Sequence, residues 1–155
     1  MEQTYIMVKP EFANNWKLIR FIRNKIKETG LTIKEASFIK YEVKDAQEHY
    51  AEHFRGSYQD AKPFYKGLEE YITSDKAYGM IVVGENAKAK MRELISVLRV
   101  KIPEMLGKEP DSRKNILHGS DLTEKSEENE IRIFKRLART YKKTKIAAAI
   151  EHQAD

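Results

Sequence analysis

The segment Asn115-Ile116-Leu117-His118-Gly119-Ser120-Asp121 places a histidine between two apolar residues and a short polar turn. The isoleucine and the leucine can anchor in a core, and the glycine lets the backbone turn without a side-chain clash. The serine and the aspartate that follow offer oxygens that can orient the imidazole or cap a helix. The segment is therefore predicted to hold His118 rigidly at the border of a core.

His118 has two interpretations on these residues alone. A neutral imidazole is a competent nucleophile near pH 7, because its ordinary pKa of about 6.5 leaves most of it deprotonated. The functional interpretation is thus a histidine that accepts a transferred group. The structural interpretation is a histidine whose hydrogen bonds are satisfied within a turn, and this is the commoner case for a lone histidine.

The length and composition of the chain limit the classes of protein to which it can belong. It has 155 residues, enough for one domain with a single core. It holds no apolar run long enough for a transmembrane helix, and charged and polar residues interrupt residues 1–20, so no signal peptide is predicted. The chain has no cysteine, which excludes disulfides and thiolate metal sites. We expect an intracellular, cytoplasmic protein without membrane association.

The charge of the chain is basic overall, and the excess lies near its end. There are 29 lysines and arginines against 24 aspartates and glutamates, a net charge of +5. Such a surplus suits polyphosphate ligands and also permits nonspecific contact with nucleic acid. Between Ile131 and Ile150 there are seven basic residues and no acidic one. A run of this kind is most often a solvated helix face, although it could meet an acidic partner or nucleic acid.

Hydrophobic periodicity and turn residues predict an alternation of strands and helices. Strands are predicted at residues 4–8, 31–41 with an irregularity near Glu35, 78–83 and 130–134. Helices are predicted from Asn14 or Asn15 to Gly30, over 44–54, from Lys62-Pro63 onward, from Ala87 (capped by Asn86) to about Leu98, and over 135–155. This order predicts an α+β domain with an antiparallel sheet of about four strands covered by helices, similar to a ferredoxin-like fold.

The histidine heptapeptide resembles the active-site signature of the nucleoside diphosphate kinases, and three further segments match this family in the same order. These segments are the Lys9-Pro10 step after the first strand, the helix start Lys62-Pro63-Phe64, and Gly84-Glu85-Asn86 followed by Arg92. The resemblance spans roughly residues 3 to 134. It implies a kinase-like domain over residues 1–134, with residues 135–155 as a basic helical extension of the same domain.

The resemblance implies a reaction in two half-reactions. A nucleoside triphosphate would donate its γ-phosphoryl group to His118, and a nucleoside diphosphate would then take the group back. Mg²⁺ would arrive on the nucleotide, without metal ligands from the protein. The implied partners are ATP or GTP, nucleoside diphosphates and further copies of the chain in a homo-oligomer, with nucleic acid as a secondary partner.

The resemblance also implies roles for individual residues. The catalytic set is His118, Lys9 at the transferred phosphate, and Ser120 and Glu130, which would orient the imidazole. The nucleotide-binding set is Lys9, Tyr50, Phe64, Leu68, Arg92, Ser96, Arg99 and Asn115. In this set Tyr50 would approach the phosphates, Phe64 and Leu68 would clamp the base, and Arg92 would bind phosphate oxygens through its planar fork.

The chain departs from the family pattern at three places. Glu11-Phe12 follows Lys9-Pro10 where the family has an aspartate and a glycine, and the loop before Pro63 is longer than usual. The interval between Arg92 and Asn115 is shorter, and the family's phosphate-contacting threonine and second arginine are not obvious in it. Ser96 could replace the threonine, and Arg99 or Arg113 could replace the arginine.

Three alternatives stay open on the sequence. The first is a family member that binds nucleotide or nucleic acid with weak or no transfer, which the basic tail and the altered loops would suit. The second is a phosphocarrier that receives phosphate from another protein rather than from a nucleotide. The third is a metal site on His49 and His53, which lie one helical turn apart, but no third ligand follows at an obvious spacing.

Overall fold

The computed structural model describes residues 1–50, 66–109, 116–120 and 124–154, with side chains over the same ranges except at 124–126 and 150–154. The elements in chain order are β1 (Glu2–Val8), α1 (Pro10–Ala13), α2 (Trp16–Glu28), β2 (Thr32–Ile39), α3 (Val43–His49), α4 (described over 66–72), β3 (Ala77–Gly84), α5 (Ala87–Met105), β4 (Leu117–Gly119) and α6 (Glu124–Ala154).

The four strands form one antiparallel sheet in the order β2-β3-β1-β4. The central strand β1 pairs with β3 on one side and with β4 on the other, where Met7 lies opposite His118. The register of β2 against β3 shifts between Ile33 and Glu35, which confirms the irregularity predicted there. The predicted α+β class with a four-stranded antiparallel sheet is thus confirmed.

Alternate side chains of β1 point to opposite faces of the sheet and so define two cores. Ile6 and Val8 belong to the core covered by α2 and α5. Tyr5 and Met7 belong to the core covered by α3, α4 and α6. Both faces are therefore buried beneath helices, and β4 carries His118 at one edge of the sheet.

Two helix boundaries differ from the sequence-based expectation. Asn15 caps α2 as predicted, accepting the backbone N–H of Leu18 at 3.1 Å. Asn86, however, makes no side-chain cap bond and instead adopts a left-handed conformation with φ 56°, which asparagine tolerates better than most residues. Helix α5 continues past the predicted end near Leu98 to Met105, because Ile102 is a further buried residue on its inner face.

The predicted final strand at residues 130–134 is wrong, since these residues lie within α6. Ile131 and Phe134 are buried whereas Arg132 and Lys135 are exposed, and the burial pattern continues at helical spacing to Ala138. The short run was too brief to separate a strand from a helix. The fourth strand is β4, which lies inside the histidine segment itself.

Helix α6 runs without a break for 31 residues and carries the helix predicted over the basic tail. It passes through residues 134 and 135, so the proposed limit between the domain and its extension falls within one continuous helix. No helix in the described ranges combines the length and the apolar character that crossing a membrane requires.

Candidate active site

His118 lies in the middle of the edge strand β4, and 6% of its surface is exposed. The neighbouring residue 119 is a glycine for a steric reason. A Cβ at this position would collide with Cδ1 of Ile95 on α5. Glycine therefore lets α5 approach the strand closely. Leu117–Gly119 thus form an edge strand beneath a helix, rather than the isolated turn that the sequence of this segment suggests.

A carboxylate from α6 holds the imidazole of His118. Glu130 Oε1 lies 2.6 Å from His118 Nε2, and the hydroxyl of Ser120 donates to the other carboxylate oxygen, Oε2. Glu130 is fully buried, and Ser120 is also buried. A carboxylate can only accept, so Nε2 carries the proton and Nδ1 carries the lone pair. The structure therefore brings together three of the four predicted catalytic residues.

His49 joins this cluster, although the sequence interpretation gave it no role in orienting His118. It is the last residue of α3 and 1% exposed, and its Nε2 lies 3.4 Å from Glu130 Oε1. Its Nδ1 lies 3.4 Å from the hydroxyl of Tyr41, which in turn lies 3.0 Å from that of Tyr5. Burial raises the pKa of both tyrosines, so both hydroxyls keep their protons. The signal that could have found His49 is its helical spacing from buried Ala46.

Polar contacts between α3 and α6 keep His49 close to Glu130. Arg136 Nη2 lies 2.7 Å from Asp45 Oδ1, and Arg132 Nη2 lies 2.5 Å from Glu48 Oε1. The hydrogen bond from Arg132 also lowers the pKa of Glu48. In addition, Asn129 Nδ2 donates to the backbone oxygen of Glu48 at 3.0 Å. The two helices that supply His49 and Glu130 are thus connected at their surface.

Lys9 lies where β1 ends and α1 begins, and it is 4% exposed. Its backbone N–H donates to the oxygen of Ile116 at 2.9 Å, which ties the lysine to the start of the histidine segment. Burial and the positive charge of Arg99 lower the pKa of Lys9 to about 8. The charge of Arg99 therefore acts on the ammonium group of Lys9.

One face of α5 supplies the remaining cations. Arg92, Ser96 and Arg99 follow one another at helical spacing and line, together with Ser120, a cleft of about 80 Å³. Arg99 donates from both Nε and Nη2 to the backbone oxygen of Leu117, at 3.1 and 3.0 Å. The hydroxyl of Ser96 donates to the backbone oxygen of Arg92. This face therefore connects an arginine-rich cleft to the strand that carries the histidine.

The sequence of the chain matches the model of the nucleoside diphosphate kinase family over residues 2–138. The chain belongs to the nucleoside diphosphate kinase family. It is thus an enzyme, a nucleotide-binding phosphotransferase, as the histidine segment and its collinear motifs predicted.

Relatives within the nucleoside diphosphate kinases support this assignment at both the sequence and the fold level. The nucleoside diphosphate kinase of Staphylococcus epidermidis is 33% identical over 86% of this chain and 87% of that protein. The enzyme of Bacillus licheniformis is 36% identical over 86% of this chain and 88% of that protein. The structure of the Halobacterium salinarum enzyme, solved in complex with CDP, matches with a TM-score of 0.66 at 28% identity, covering 86% of each chain.

The other nucleotide-binding residues that the kinase resemblance implied do not all lie beside the arginine-rich cleft. The ring of Tyr50 lies 6.1 Å from that of His118 and 4.7 Å from that of His49, so Tyr50 adjoins the histidine cluster. Leu68 is 8% exposed and packs in the core beneath α6. Phe64 and Asn115 lie outside the described residues, as does Arg113, the alternative to Arg99.

The cluster around the kinase histidine has the spacing of a metal site. Donor atoms of His49, His118 and Glu130 lie within 4.8 Å of one another. Two imidazoles and a carboxylate would suit zinc, whereas Mg²⁺ prefers oxygen ligands. The carboxylate, moreover, already holds both His118 and Ser120. The cluster therefore does not fit Mg²⁺. Of the predicted metal pair, His53 lies outside the described residues.

Proposed function

We propose that the protein transfers the γ-phosphoryl group of a nucleoside triphosphate to a nucleoside diphosphate through a phosphohistidine at His118. The observation that carries this proposal is the 2.6 Å contact between His118 Nε2 and Glu130 Oε1. It fixes the ring and places the lone pair on Nδ1, the nitrogen that can attack phosphorus. A histidine that is oriented by a buried carboxylate and lies beside cations is equipped for group transfer.

In the first half-reaction, Nδ1 of His118 forms a bond to the γ-phosphorus while the bond from that phosphorus to the β–γ bridging oxygen breaks. The nucleoside diphosphate leaves with that bond's electron pair. In the second half-reaction, a terminal phosphate oxygen of another nucleoside diphosphate attacks the same phosphorus, and the electron pair returns to Nδ1. Nε2 keeps its proton throughout, so Glu130 orients the ring and stabilises the positive charge that develops on it.

The cations would align the phosphates and neutralise their charge. Such transfer depends more on alignment and electrostatics than on acid–base chemistry. Lys9 and Arg99 support this role because the charge of Arg99 acts on Lys9 and both residues contact the segment that leads to His118. Arg92 extends the positive charge along α5 from the same cleft. Ser96 and Tyr50 complete the proposed phosphate side of the pocket.

The base would lie at Phe64 and Leu68, as the family resemblance implies, and Asn115 would add a polar contact. Mg²⁺ enters this scheme as part of the substrate, a nucleotide–Mg²⁺ complex, where it supplies further charge neutralisation. Chelation of Mg²⁺ with EDTA is therefore expected to stop transfer and to leave the fold, followed by circular dichroism, unchanged.

The test is incubation with ATP labelled at the γ-phosphate. We expect label on the protein that survives base and is lost in acid, and that moves to an added nucleoside diphosphate. His118→Ala should abolish both steps, whereas the control His152→Ala should retain them. Nucleotide binding without transfer would instead support a binding protein, and phosphate accepted only from another protein would support a phosphocarrier.

The assembly and location complete the proposal. We infer a homo-oligomer that acts in the cytoplasm, and both properties stay predictions of the family resemblance. Light scattering on the purified protein would measure the mass of the assembly, and a monomeric mass would contradict the first of these inferences.

A further inference from the structure

The histidine cluster consists of His49 at the end of α3, His118 in β4 and Glu130 in α6. The donor atoms of these three side chains lie within 4.8 Å of one another, and the two imidazole rings have centroids 4.6 Å apart. All three residues are buried. The fold therefore assembles two nitrogen donors and one oxygen donor from segments that are distant in the sequence.

The distances within the histidine cluster suit a tetrahedral zinc ion. Zinc binds imidazole nitrogen and carboxylate oxygen at roughly 2.0–2.2 Å, which places its tetrahedral ligand atoms roughly 3.3–3.6 Å apart. Glu130 Oε1 already lies 3.4 Å from His49 Nε2, and its 2.6 Å contact with His118 Nε2 would lengthen to a similar value. Two histidines and one glutamate form an established zinc ligand set, in which water takes the fourth position.

Neighbouring hydroxyl groups can orient these ligands around a metal ion. A metal-bound imidazole donates its other N–H to an acceptor, which fixes the orientation of the ring. For His49 the acceptor is the hydroxyl oxygen of Tyr41, which lies 3.4 Å from Nδ1. Glu130 can bind the ion through Oε1 and still accept the hydroxyl of Ser120 at Oε2. The ligands therefore keep hydrogen-bond partners when the ion is bound.

The histidine cluster is accessible from the side of His118. The side chain of His118 is 8% exposed, whereas those of His49 and Glu130 are fully buried. Ser120, which donates to Glu130, lines the arginine-rich cleft beside α5. An ion would thus enter from the side on which the phosphates are proposed to bind. Because the arginines of this cleft repel a cation, zinc is added before the nucleotide in the experiments below.

We propose that the histidine cluster binds Zn²⁺ and that the bound ion inactivates His118. A neutral imidazole has one N–H and one lone pair in the ring plane. Without zinc, the contact with Glu130 keeps the proton of His118 on Nε2 and the lone pair on Nδ1. Zinc on Nε2 uses a lone pair there, so the proton moves to Nδ1 and this nitrogen can no longer attack phosphorus. The inactivation rests on the proposed phosphohistidine, whereas zinc binding does not.

Zinc binding is measured first, without nucleotide. The full-length protein is freed of metal and titrated with Co²⁺, whose visible absorption becomes intense in a four-coordinate site, and Zn²⁺ is then added to displace it. We expect one ion per chain. His49→Gln and Glu130→Gln should each weaken zinc binding at least about tenfold, because each removes a ligand. The controls His53→Ala and His152→Ala remove the other two histidines of the chain and should bind zinc like the unmodified protein.

The effect of zinc on His118 is measured with ATP labelled at the γ-phosphate in saturating Mg²⁺. We expect bound zinc to slow labelling of the protein at least about tenfold, and a zinc-selective chelator that leaves Mg²⁺ in place to restore it. His49→Gln should need about tenfold more zinc for the same loss. Each variant is compared with itself without zinc, so a change in its basal rate does not affect the comparison. His53→Ala measures any inhibition by zinc bound to the nucleotide.

Three results would overturn the proposal. The first is no binding of Co²⁺ or Zn²⁺ by the unmodified protein. The second is weaker zinc binding in His53→Ala but not in Glu130→Gln, which would place the ion elsewhere on the chain. The third is labelling that zinc leaves unchanged, or slows equally in the unmodified protein and in His49→Gln. Absence of labelling without zinc would contradict the proposed transfer instead, and the metal titration would still decide whether the cluster binds zinc.

Discussion

Glu130 Oε1 lies 2.6 Å from His118 Nε2 and 3.4 Å from His49 Nε2, so one buried oxygen faces two imidazoles. The remaining oxygen accepts the hydroxyl of Ser120. Each carboxylate oxygen thus accepts a hydrogen bond, from His118 or from Ser120, and these bonds offset the cost of its burial. Its three neighbours come from α3, from β4 and from the residue after β4, so the position of the imidazole depends on how these elements pack.

Glu130→Gln should slow phosphorylation of His118. The amide keeps the shape of the side chain but loses the negative charge that stabilises the developing imidazolium, and we expect a loss of roughly 100-fold. Single-turnover transfer from labelled ATP measures this rate. Glu128→Gln changes an exposed glutamate of the same helix and serves as the control. Equal rates in the two variants would show that Glu130 has only a structural role.

His49→Phe and His49→Gln test whether His49 positions the carboxylate. Glutamine keeps an N–H donor near Glu130, whereas phenylalanine keeps only the ring packing. We expect phenylalanine to slow phosphorylation about tenfold, because the 3.4 Å polar contact with Glu130 is lost, and glutamine to recover most of the rate. The KM for ATP should stay unchanged in both, and a rise in KM without a change in rate would contradict a positioning role.

Nucleotide binding should weaken as the pH rises through about 8, because Lys9 then loses its proton. The effect of rising pH on the stability of the fold has the opposite sign to its effect on nucleotide binding. The folded pKa lies below the ordinary value of 10.5, so the unfolded chain binds more protons between these values and the contribution of Lys9 to stability rises with pH. The KM for ATP should therefore increase above pH 8 without unfolding. Lys9→Arg should remove this alkaline limb of the pH profile, the increase in KM above pH 8. If the increase persists in the variant, Lys9 is excluded as its cause.

Arg99→Gln should move the same alkaline limb to higher pH. The charge of Arg99 lowers the pKa of Lys9, so its removal raises that pKa. The KM itself should also increase at pH 7, because the proposed contact of Arg99 with phosphate is lost. The pH profile of kcat/KM distinguishes this effect from a simple loss of affinity, which would leave the limb in place. Lys101→Gln, an exposed cation on the same helix, is the matched control.

Gly79→Ala should destabilise the fold through the core beneath α6. A Cβ at this position would lie 2.7 Å from a ring atom of Phe134 and 2.9 Å from the hydroxyl of Tyr5. Overpacking of this kind costs about 1–3 kcal/mol of unfolding free energy. Urea denaturation measures the loss. Phe134→Leu makes room for the methyl group, so the double variant should lose less than the sum of the two single changes, and strict additivity would argue against the clash.

The sequence predicted strands β1, β2 and β3 well and strand β4 poorly, for physical reasons. The continuous apolar run at residues 78–83 is typical of a strand buried on both faces, and β3 lies there. Strand β4 has three residues, too few to show a period. Residues 130–134 resemble a strand because five residues cannot reveal the helical spacing that becomes clear over 130–138.

The residues of the candidate site were likewise predicted only in part. Glu130 was expected near His118 and lies there, although its secondary structure was predicted wrongly, because the contact depends on where the side chain ends. His49 was paired with His53 from spacing along one helix. Its contacts are with residues distant in sequence, Tyr41 and Glu130, which only tertiary packing reveals. The contact of Arg99 with the backbone oxygen of Leu117 likewise depends on tertiary packing.

The uninterrupted course of α6 has a kinetic consequence. Every residue from Lys142 to Ala149, near its C-terminal end, is exposed to solvent. Going back along the helix, the first buried residues are Ala138 and Leu137. Unwinding should therefore start at the C-terminal end and slow where the helix meets the sheet. Amide hydrogens should exchange along a gradient that leaves the turn carrying Glu130 among the slowest, so fraying of the tail would not reach the carboxylate.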